Sequence, residues 1–344
     1  MATLFRNVRI FDGSGRAPFE GEVLVRGDSV AAVTASPAES AAALAGDTAV
    51  RIIDGGGRTL MPGLIEPHAH LSWPSSVGNI VNAMRLPPEE HLLITAFNAR
   101  ITLDHGYTSA YSAGSLGQRF EVALRDQINA GHLPGPRLRA SSIENAPAGV
   151  WLACHAQAAA AVKLAVRNQF RLINHCTYAD SEALDLLEAA SDRVFVAPAP
   201  GLLYARVHEA ADFGIDRAAA ERMGAASGLE LMQRIYPEMR RRGIHVLPGG
   251  DYGFPYNPIG RNARDLQLFV DLFGYEPSEV LQAATRLGGQ LMGLPVGEIR
   301  TGYLADLLLV DGDPLADLTI LQDRARLSAI MQGGRFHKAP AAGT

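Results

Sequence analysis

Met61-Pro-Gly-Leu-Ile-Glu-Pro-His-Ala-His-Leu-Ser-Trp73 is the stretch that decides the fold. Pro62 and Gly63 are a turn signal, and the short apolar run after them ends in His68 and His70. Alternate side chains of a strand point to the same face, so the two imidazoles face one way and Ala69 faces the other. Two imidazoles at a strand tip can hold a divalent metal such as zinc. A single His-x-His pair is more often chance, so the rest of the chain has to decide between these readings.

Residues 62–297 alternate short strands with helical patterns, which predicts a parallel sheet flanked by helices. No Gly-x-Gly-x-x-Gly loop follows the first strand, so the pattern favours an α/β fold of the TIM-like (β/α) barrel type over a dinucleotide-binding sheet. The seven candidate strands are Leu64–His70, Tyr107–Ala113, Arg137–Ser142, Trp151–Ala156, Arg171–Cys176, Arg193–Ala199 and Ile244–Asp251.

Both ends of the chain carry strand patterns that are too few to build a core alone. They lie at residues 3–12 and 21–33, and again at Ala305–Asp311 and Leu327–Phe336. We therefore predict a composite β-sandwich domain from residues 1–61 and 298–344, with the barrel domain, residues 62–297, inserted between its two parts.

Polar side chains end three of the later strands. His155 ends Trp-Leu-Ala-Cys-His, His175 ends Arg-Leu-Ile-Asn-His, and Asp251 ends Val-Leu-Pro-Gly-Gly-Asp. Active sites of barrels lie at the C-terminal ends of the strands, so these side chains should converge with His68 and His70. Four histidines and one aspartate in such positions predict a metal site.

Composition bounds the function classes. The 344 residues are 47% hydrophobic and 19% charged, which is typical of a globular protein with a large core. The net charge of −5 gives no reason to expect nucleic acid or a membrane surface as a partner. Two cysteines, Cys154 and Cys176, cannot form a disulfide framework and fit a cytoplasmic location. We see no signal-peptide pattern and no apolar stretch long enough to span a bilayer.

The chain resembles the metal-dependent amidohydrolase superfamily over nearly its whole length. The resemblance rests on Pro62-Gly63-Leu64-Ile65 before the His-x-His pair, on the polar strand ends, and on the C-terminal stretch 302–314. Through residues 246–260 the chain looks most like the branch of Xaa-Pro dipeptidase-like, carboxypeptidase-like and ochratoxin-hydrolysing enzymes. The resemblance implies an enzyme that hydrolyses an amide bond of a small molecule.

The resemblance also implies a paired zinc site bridged by a carboxylated lysine on the fourth strand. Its ligands would be His68, His70 and Asp251 on one metal and His155 and His175 on the other. The chain has only two lysines, Lys163 in a helical stretch and Lys338 in the C-terminal tail, so the bridging residue is missing. We expect one or two divalent metals per chain, and at most one that is tightly held.

The resemblance also indicates that a segment of the barrel has been lost around residues 143–151. Only eight residues, Ile143–Val150, connect the third and fourth candidate strands, whereas a crossover between parallel strands takes about a dozen or more. Seven strands are left instead of eight, and Glu144 is a candidate substitute for the lost bridging group. We expect reduced stability and reduced hydrolysis relative to an intact member of the family.

In a family member with a complete metal site, Asp251 would transfer the proton from the attacking water to the leaving amine. Rim residues that follow strand ends, Trp73, Tyr178, Tyr252 and Arg261, are candidate substrate contacts. The preferred substrate is a dipeptide or an N-acyl amino acid, ochratoxin-like aromatic amides included. A deaminase or cyclic-amide hydrolase of the same superfamily and a non-catalytic deletion product remain as alternatives, and a homo-oligomer is left open.

Overall fold

The computed structural model describes residues 2–47, 49–75, 85–141 and 151–341. They group into two compact units. The first contains Met1–Ile65, Leu103–Ser109 and Pro277–Thr344, and the second contains Glu66–Thr102 and Ala110–Glu276. All five predicted metal ligands belong to the second unit.

The strands are numbered in chain order. They are β1 Ala2–Ile10, β2 Phe19–Arg26, β3 Ser29–Thr34, β4 Val50–Asp54, β5 Thr59–Pro62, β6 Leu64–Ala69, β7 Tyr107–Ser112, β8 Arg137–Arg139, β9 Ala153–Ala158, β10 Leu172–Tyr178, β11 Phe195–Ala197, β12 His245–Val246, β13 Leu307–Val310, β14 Leu327–Gln332 and β15 Arg335–Lys338. Each of the seven strands predicted between Leu64 and Asp251 overlaps one of β6 to β12.

One sheet joins strands from both ends of the chain. Its order is β15-β14-β13-β5-β1-β2-β3, and β4 pairs with β1. The join is the antiparallel pair β5–β13, in which Leu307 faces Pro62 and Leu309 faces Leu60. Apolar side chains from both ends, including Ile10 and Met331, pack into one core. The boundaries predicted for the composite domain, 1–61 and 298–344, stay a prediction.

The strands β6 to β12 form two sheets in the described part of the chain. One has the order β6-β7-β8 and the other the order β12-β11-β10-β9, and all the pairs of the second sheet are parallel. The mixed α/β class predicted from the alternating pattern is therefore confirmed.

The helices follow their local sequence signals. Asp180 caps Ser181–Ala189 by accepting a hydrogen bond from the Ala183 N–H, two residues after β10 ends. The described α-helices are Pro37–Ala43, Pro88–Asp104, Phe120–Asn129, Ala159–Arg167, Ser181–Ala189, Pro200–His208, Arg217–Arg222, Ala225–Arg241, Arg264–Phe273, Pro277–Gln282 and Gly288–Met292. None of the helices in the described ranges combines the length and the apolar character needed to cross a bilayer.

Trp151 lies where the chain passes from β8 to β9. The Arg171 guanidinium stacks 3.8 Å from its ring centroid, the Arg139 guanidinium is 5.3 Å away, and the Tyr111 hydroxyl donates to the Trp151 carbonyl at 3.2 Å. Tyr111 of β7 and Arg139 of β8 thus contact Trp151, which precedes β9, and Trp151 in turn contacts Arg171, which precedes β10. Residues 142–150, with the candidate ligand Glu144 and nearly all of the proposed deletion point, lie outside the described residues.

Candidate metal centre

Glu66 and His68 lie at alternate positions of strand β6, and His70 follows its last residue; all three are at most 2% exposed. Glu66 Oε1 accepts a hydrogen bond from the His68 backbone N–H at 2.9 Å, and its Oε2 accepts one from Asn262 Nδ2 at 2.7 Å. Burial raises the pKa of Glu66 to about 8. Sequence analysis missed Glu66 and Asn262, although Glu66 shares the alternation of the two histidines.

Adjacent parallel strands bring His155 and His175 together. In the register of β9 and β10, His155 is opposite Asn174, the residue before His175. His155 Nδ1 lies 2.8 Å from His175 Nε2, and His155 Nε2 lies 2.9 Å from the Ala113 carbonyl oxygen, so the two imidazoles share a hydrogen bond. His175 is buried and His155 is exposed.

Two of the predicted ligands have left-handed backbone conformations. φ is +73° at His175, +59° at Cys176 and +56° at Asp251. A non-glycine residue in this region costs on the order of 1–3 kcal/mol and such residues cluster at functional sites. In β10 the pairing also shifts between His175 and Tyr178, which changes the direction of the side chains there.

Asp251 reaches the histidines through Pro248-Gly249-Gly250. A side chain on Gly249 would meet the His68 Cβ at 2.9 Å, so glycine permits this close approach. Asp251 Oδ1 lies 3.1 Å from His70 Nε2 and 3.7 Å from His68 Nε2. Burial disfavours ionisation of Asp251, but the two imidazoles outweigh it and hold the pKa of the carboxyl well below its usual range.

The pKa values of the four histidines bear on whether their ring nitrogens can bind a metal. Burial lowers the pKa of His68 and of His155, and it lowers the pKa of His175 to about 4. For His70, burial acts in the same direction, but the contact with Asp251 outweighs it and raises the pKa. Neutral imidazoles are the form that binds metals, and burial favours that form at His68, His155 and His175.

The five predicted side chains gather in one cluster. Two groups, His68–His70–His155 and His68–His175–Asp251, each have ligand atoms within 4.8 Å of one another. Four buried atoms of these five side chains have no hydrogen-bond partner among the described residues: both His68 ring nitrogens, His70 Nε2 and Asp251 Oδ1. Each unpaired buried polar atom costs about 1–3 kcal/mol, and a bound cation would satisfy them, so the residues fit a metal ion.

Both lysines of the chain are engaged elsewhere. Lys163 lies on the helix Ala159–Arg167 and forms ion pairs with Asp180 at 2.8 Å and Glu182 at 2.6 Å. Lys338 lies on β15 and donates to the Arg324 carbonyl at 2.8 Å. Neither provides a bridging group.

The four predicted substrate contacts differ in their surroundings. Trp73 stacks on His70, with the ring centroids 4.2 Å apart, and Tyr178 is 47% exposed at the end of β10. Tyr252 is buried and its hydroxyl donates to Asp265 at 2.8 Å. Arg261 pairs with Glu209 at 2.8 Å. Tyr252 and Arg261 thus have intramolecular partners, whereas Trp73 lies directly against the cluster.

Comparison with known proteins gives a consistent picture. The amidohydrolase family profile matches residues 172–336. Ochratoxinase from Aspergillus niger is 24% identical over 202 residues, which are 56% of this chain and 39% of that protein. The match therefore spans about two fifths of the length of this curated relative.

Solved structures match almost end to end. The crystal structure of A. niger ochratoxinase superposes with a TM-score of 0.81 at 16% identity, covering 99% of this chain and 96% of that chain. A prolidase in complex with N-methylphosphonate-L-proline gives 0.81 at 19% identity, covering 98% and 100%. A Xaa-Pro dipeptidase with bound methionine gives 0.79 at 19% identity, again covering 98% and 100%.

These likenesses confirm the resemblance to the amidohydrolase superfamily and its dipeptidase-like and ochratoxinase branch. They also confirm the predicted fold class, an α/β TIM-like barrel with a small β-sandwich domain. The loss of one barrel segment stays a prediction.

Proposed function

We propose that the chain is a metal-dependent amidohydrolase that cleaves the amide bond of a dipeptide or an N-acyl amino acid. The observation that carries the proposal is the cluster of four histidines and Asp251 with its unpaired buried nitrogen and oxygen atoms. The similarity to ochratoxinase and to dipeptidase-like structures supports amide hydrolysis. Cys154 and Cys176 form no disulfide, which supports a cytoplasmic location.

Zinc is the metal we propose, with one ion tightly held per chain. Imidazole and carboxylate are usual zinc ligands. The two groups of ligand atoms share His68, and Asp251 is the one carboxylate in either group. Two divalent ions held by these five side chains would repel each other, and the cluster offers only the Asp251 carboxylate to offset the repulsion. The absent bridging lysine thus supports a site for a single metal.

Asp251 is the proposed proton carrier. The histidine cluster and Asp251 would hold the zinc ion, which would polarise a carbonyl and make water acidic enough to attack at neutral pH. Water oxygen bonds to the carbonyl carbon, and the ionised Asp251 carboxylate accepts the released proton. The C–N bond then breaks, and Asp251 returns the proton to the leaving nitrogen, so the products are a carboxylic acid and an amine.

The test combines metal content with product analysis. Chain stripped with a chelator and reloaded with zinc should contain one zinc and release phenylalanine from N-acetyl-L-phenylalanine. His68→Gln should lose both properties, whereas the control His132→Gln, at an exposed histidine beside Gln127, should keep both. Zinc binding without amine release would indicate a non-catalytic protein, and ammonia release from cyclic or amino-substituted bases would indicate a deaminase. Two tightly bound zinc ions per chain would refute the single-metal proposal.

A further inference from the structure

The helix Pro88–Asp104 has its polar and apolar side chains on unusual sides. Its buried side chains are mostly polar and include His91 and Asn98, whereas Leu93 and Phe97 are 73% and 62% exposed. A surface helix of a globular protein normally turns its apolar stripe towards the core and its polar side chains towards water. The two large apolar side chains on the exposed side of this helix therefore indicate a surface that another molecule covers.

The buried polar side chains of this helix hold the segment that follows β6. His91 Nε2 donates to the Ser72 carbonyl, and Asn98 Nδ2 donates to the Leu71 and Trp73 carbonyls at 2.8 and 2.9 Å. These bonds explain why the inner side of the helix is polar. The apolar side chains on the opposite side take no part in them, so their exposure needs a separate explanation.

Four exposed residues form one stripe along the outer side of the helix. Glu90, Leu93, Phe97 and Arg100 follow one another at spacings of three, four and three residues, which places them on the same side. We call these four residues the outer face. The carboxylate lies towards the N-terminal end of the helix, the guanidinium lies towards the C-terminal end, and the two apolar side chains lie between them.

The outer face is complementary to a second copy of itself. The four positions are symmetric about their midpoint, so an antiparallel pair of helices sets Leu93 of each copy opposite Phe97 of the other. The same arrangement sets Glu90 of each copy opposite Arg100 of the other, which gives two pairs of opposite charges. A parallel arrangement would set each charge against its own counterpart. Charge complementarity therefore favours a second copy in the antiparallel orientation.

We propose that two copies of this chain form a dimer through the outer face, with the helices Pro88–Asp104 packed antiparallel across a two-fold axis. Leu93 and Phe97 provide the apolar contact, and Glu90 and Arg100 set the orientation. A single helix face is smaller than the roughly 800 Å² per partner of a standard interface, so the Kd should be on the order of 10 µM. The inference is independent of the proposed function, because no residue of the outer face belongs to the metal cluster.

Sedimentation velocity of the full chain measures the pairing at concentrations from about 1 to 300 µM. Wild type should change from monomer to dimer within this range. Phe97→Ala and Leu93→Ala should each raise the Kd at least about tenfold, because each substitution removes apolar contact twice in a symmetric dimer. The control Leu164→Ala, at a side chain that is 64% exposed on the helix Ala159–Arg167, should keep the wild-type Kd. Circular dichroism checks that each variant is folded.

A charge exchange tests the orientation. Glu90→Arg and Arg100→Glu each set like charges opposite one another in the antiparallel dimer, so each should raise the Kd about 3- to 10-fold at low salt. An equal mixture of these two variants restores both pairs of opposite charges and should form a heterodimer with a Kd close to that of wild type. The double variant should pair as well as wild type for the same reason.

Three results would overturn the dimer. The first is a wild type that stays monomeric over the whole range, including one whose outer face binds detergent or lipid vesicles instead. The second is a dimer whose Kd is unchanged in both Phe97→Ala and Leu93→Ala. The third is a loss of pairing in Glu90→Arg and Arg100→Glu without recovery in their mixture.

Discussion

Replacing Asp265 by asparagine should stabilise the metal-free protein at pH 8 and have little effect at pH 4. Asp265 is 1% exposed at the start of the helix Arg264–Phe273. Its Oδ1 accepts the Tyr252 hydroxyl, and its Oδ2 has no hydrogen-bond partner among the described residues. Burial raises the pKa of this carboxyl to about 7, in spite of the nearby Arg264 charge.

The size of the effect follows from proton linkage. The pKa of an aspartate in the unfolded chain is about 3.9. Each unit of difference between the folded and unfolded pKa changes the free energy of unfolding by about 1.4 kcal/mol, so a folded pKa of about 7 corresponds to about 4 kcal/mol. Between pH 4 and pH 7 the folded chain binds more protons than the unfolded chain, so the free energy of unfolding falls as the pH rises. This contribution is fully present below about pH 4 and is lost above about pH 7.

Asparagine keeps an acceptor for Tyr252 and cannot ionise. The stability difference between Asp265→Asn and wild type should therefore grow from near zero at pH 4 towards about 4 kcal/mol at pH 8. Urea unfolding followed by fluorescence in the presence of a chelator measures it. Asp271→Asn, at an exposed position of the same helix, is the control and should show no such growth. A pH-independent difference, or a variant less stable than wild type at pH 8, would refute the reasoning.

Two other contacts make testable contributions to stability. Asn262→Ala removes the donor to the buried Glu66 carboxyl, and it should lower the free energy of unfolding, measured in urea, by about 1.5–3 kcal/mol. The control Asn168→Ala removes an exposed donor to the Leu164 carbonyl and should change the free energy of unfolding by less than about 0.5 kcal/mol. Equal effects of the two variants would contradict a role for Asn262. Trp151→Ala removes the ring that Arg139 and Arg171 contact, and it should lower the free energy of unfolding by about 1–2 kcal/mol in the same measurement. The control Leu93→Ala, at a side chain that is 73% exposed, should lower it by less than about 0.5 kcal/mol. An unaltered midpoint for Trp151→Ala would show that this contact does not stabilise the junction between β8 and β9.

The strands of the barrel could be placed from sequence because their signals are local. Apolar runs and turn residues recur along residues 62–251, and each predicted strand overlaps an observed one. The last strand was predicted too long, as Ile244–Asp251 instead of His245–Val246. Pro248 has no N–H to donate to a neighbouring strand, and Gly249 and Gly250 let the chain leave extended geometry before Asp251.

Contacts between distant residues could not be predicted in this way. Tyr252 and Arg261 follow a strand end, and their contact with substrate stays a prediction. The sequence did not indicate that Tyr252 would pair with Asp265 and Arg261 with Glu209. Arg261 and Glu209 are 52 residues apart in the chain. No periodicity records such a pair, because it forms only when separate helices and loops pack together.

The sequence by itself determined the chemistry of the candidate site: which strand ends carry imidazole or carboxylate, and that no lysine is available to bridge two metals. Only the tertiary structure decided how those groups meet, through the left-handed backbone at His175 and Asp251 and the close approach of Gly249 to β6. It also decided that the charge of Arg261 is paired with Glu209. The physical reason is that side-chain chemistry and strand alternation are properties of neighbouring residues, whereas burial and charge pairing depend on residues far apart in the chain.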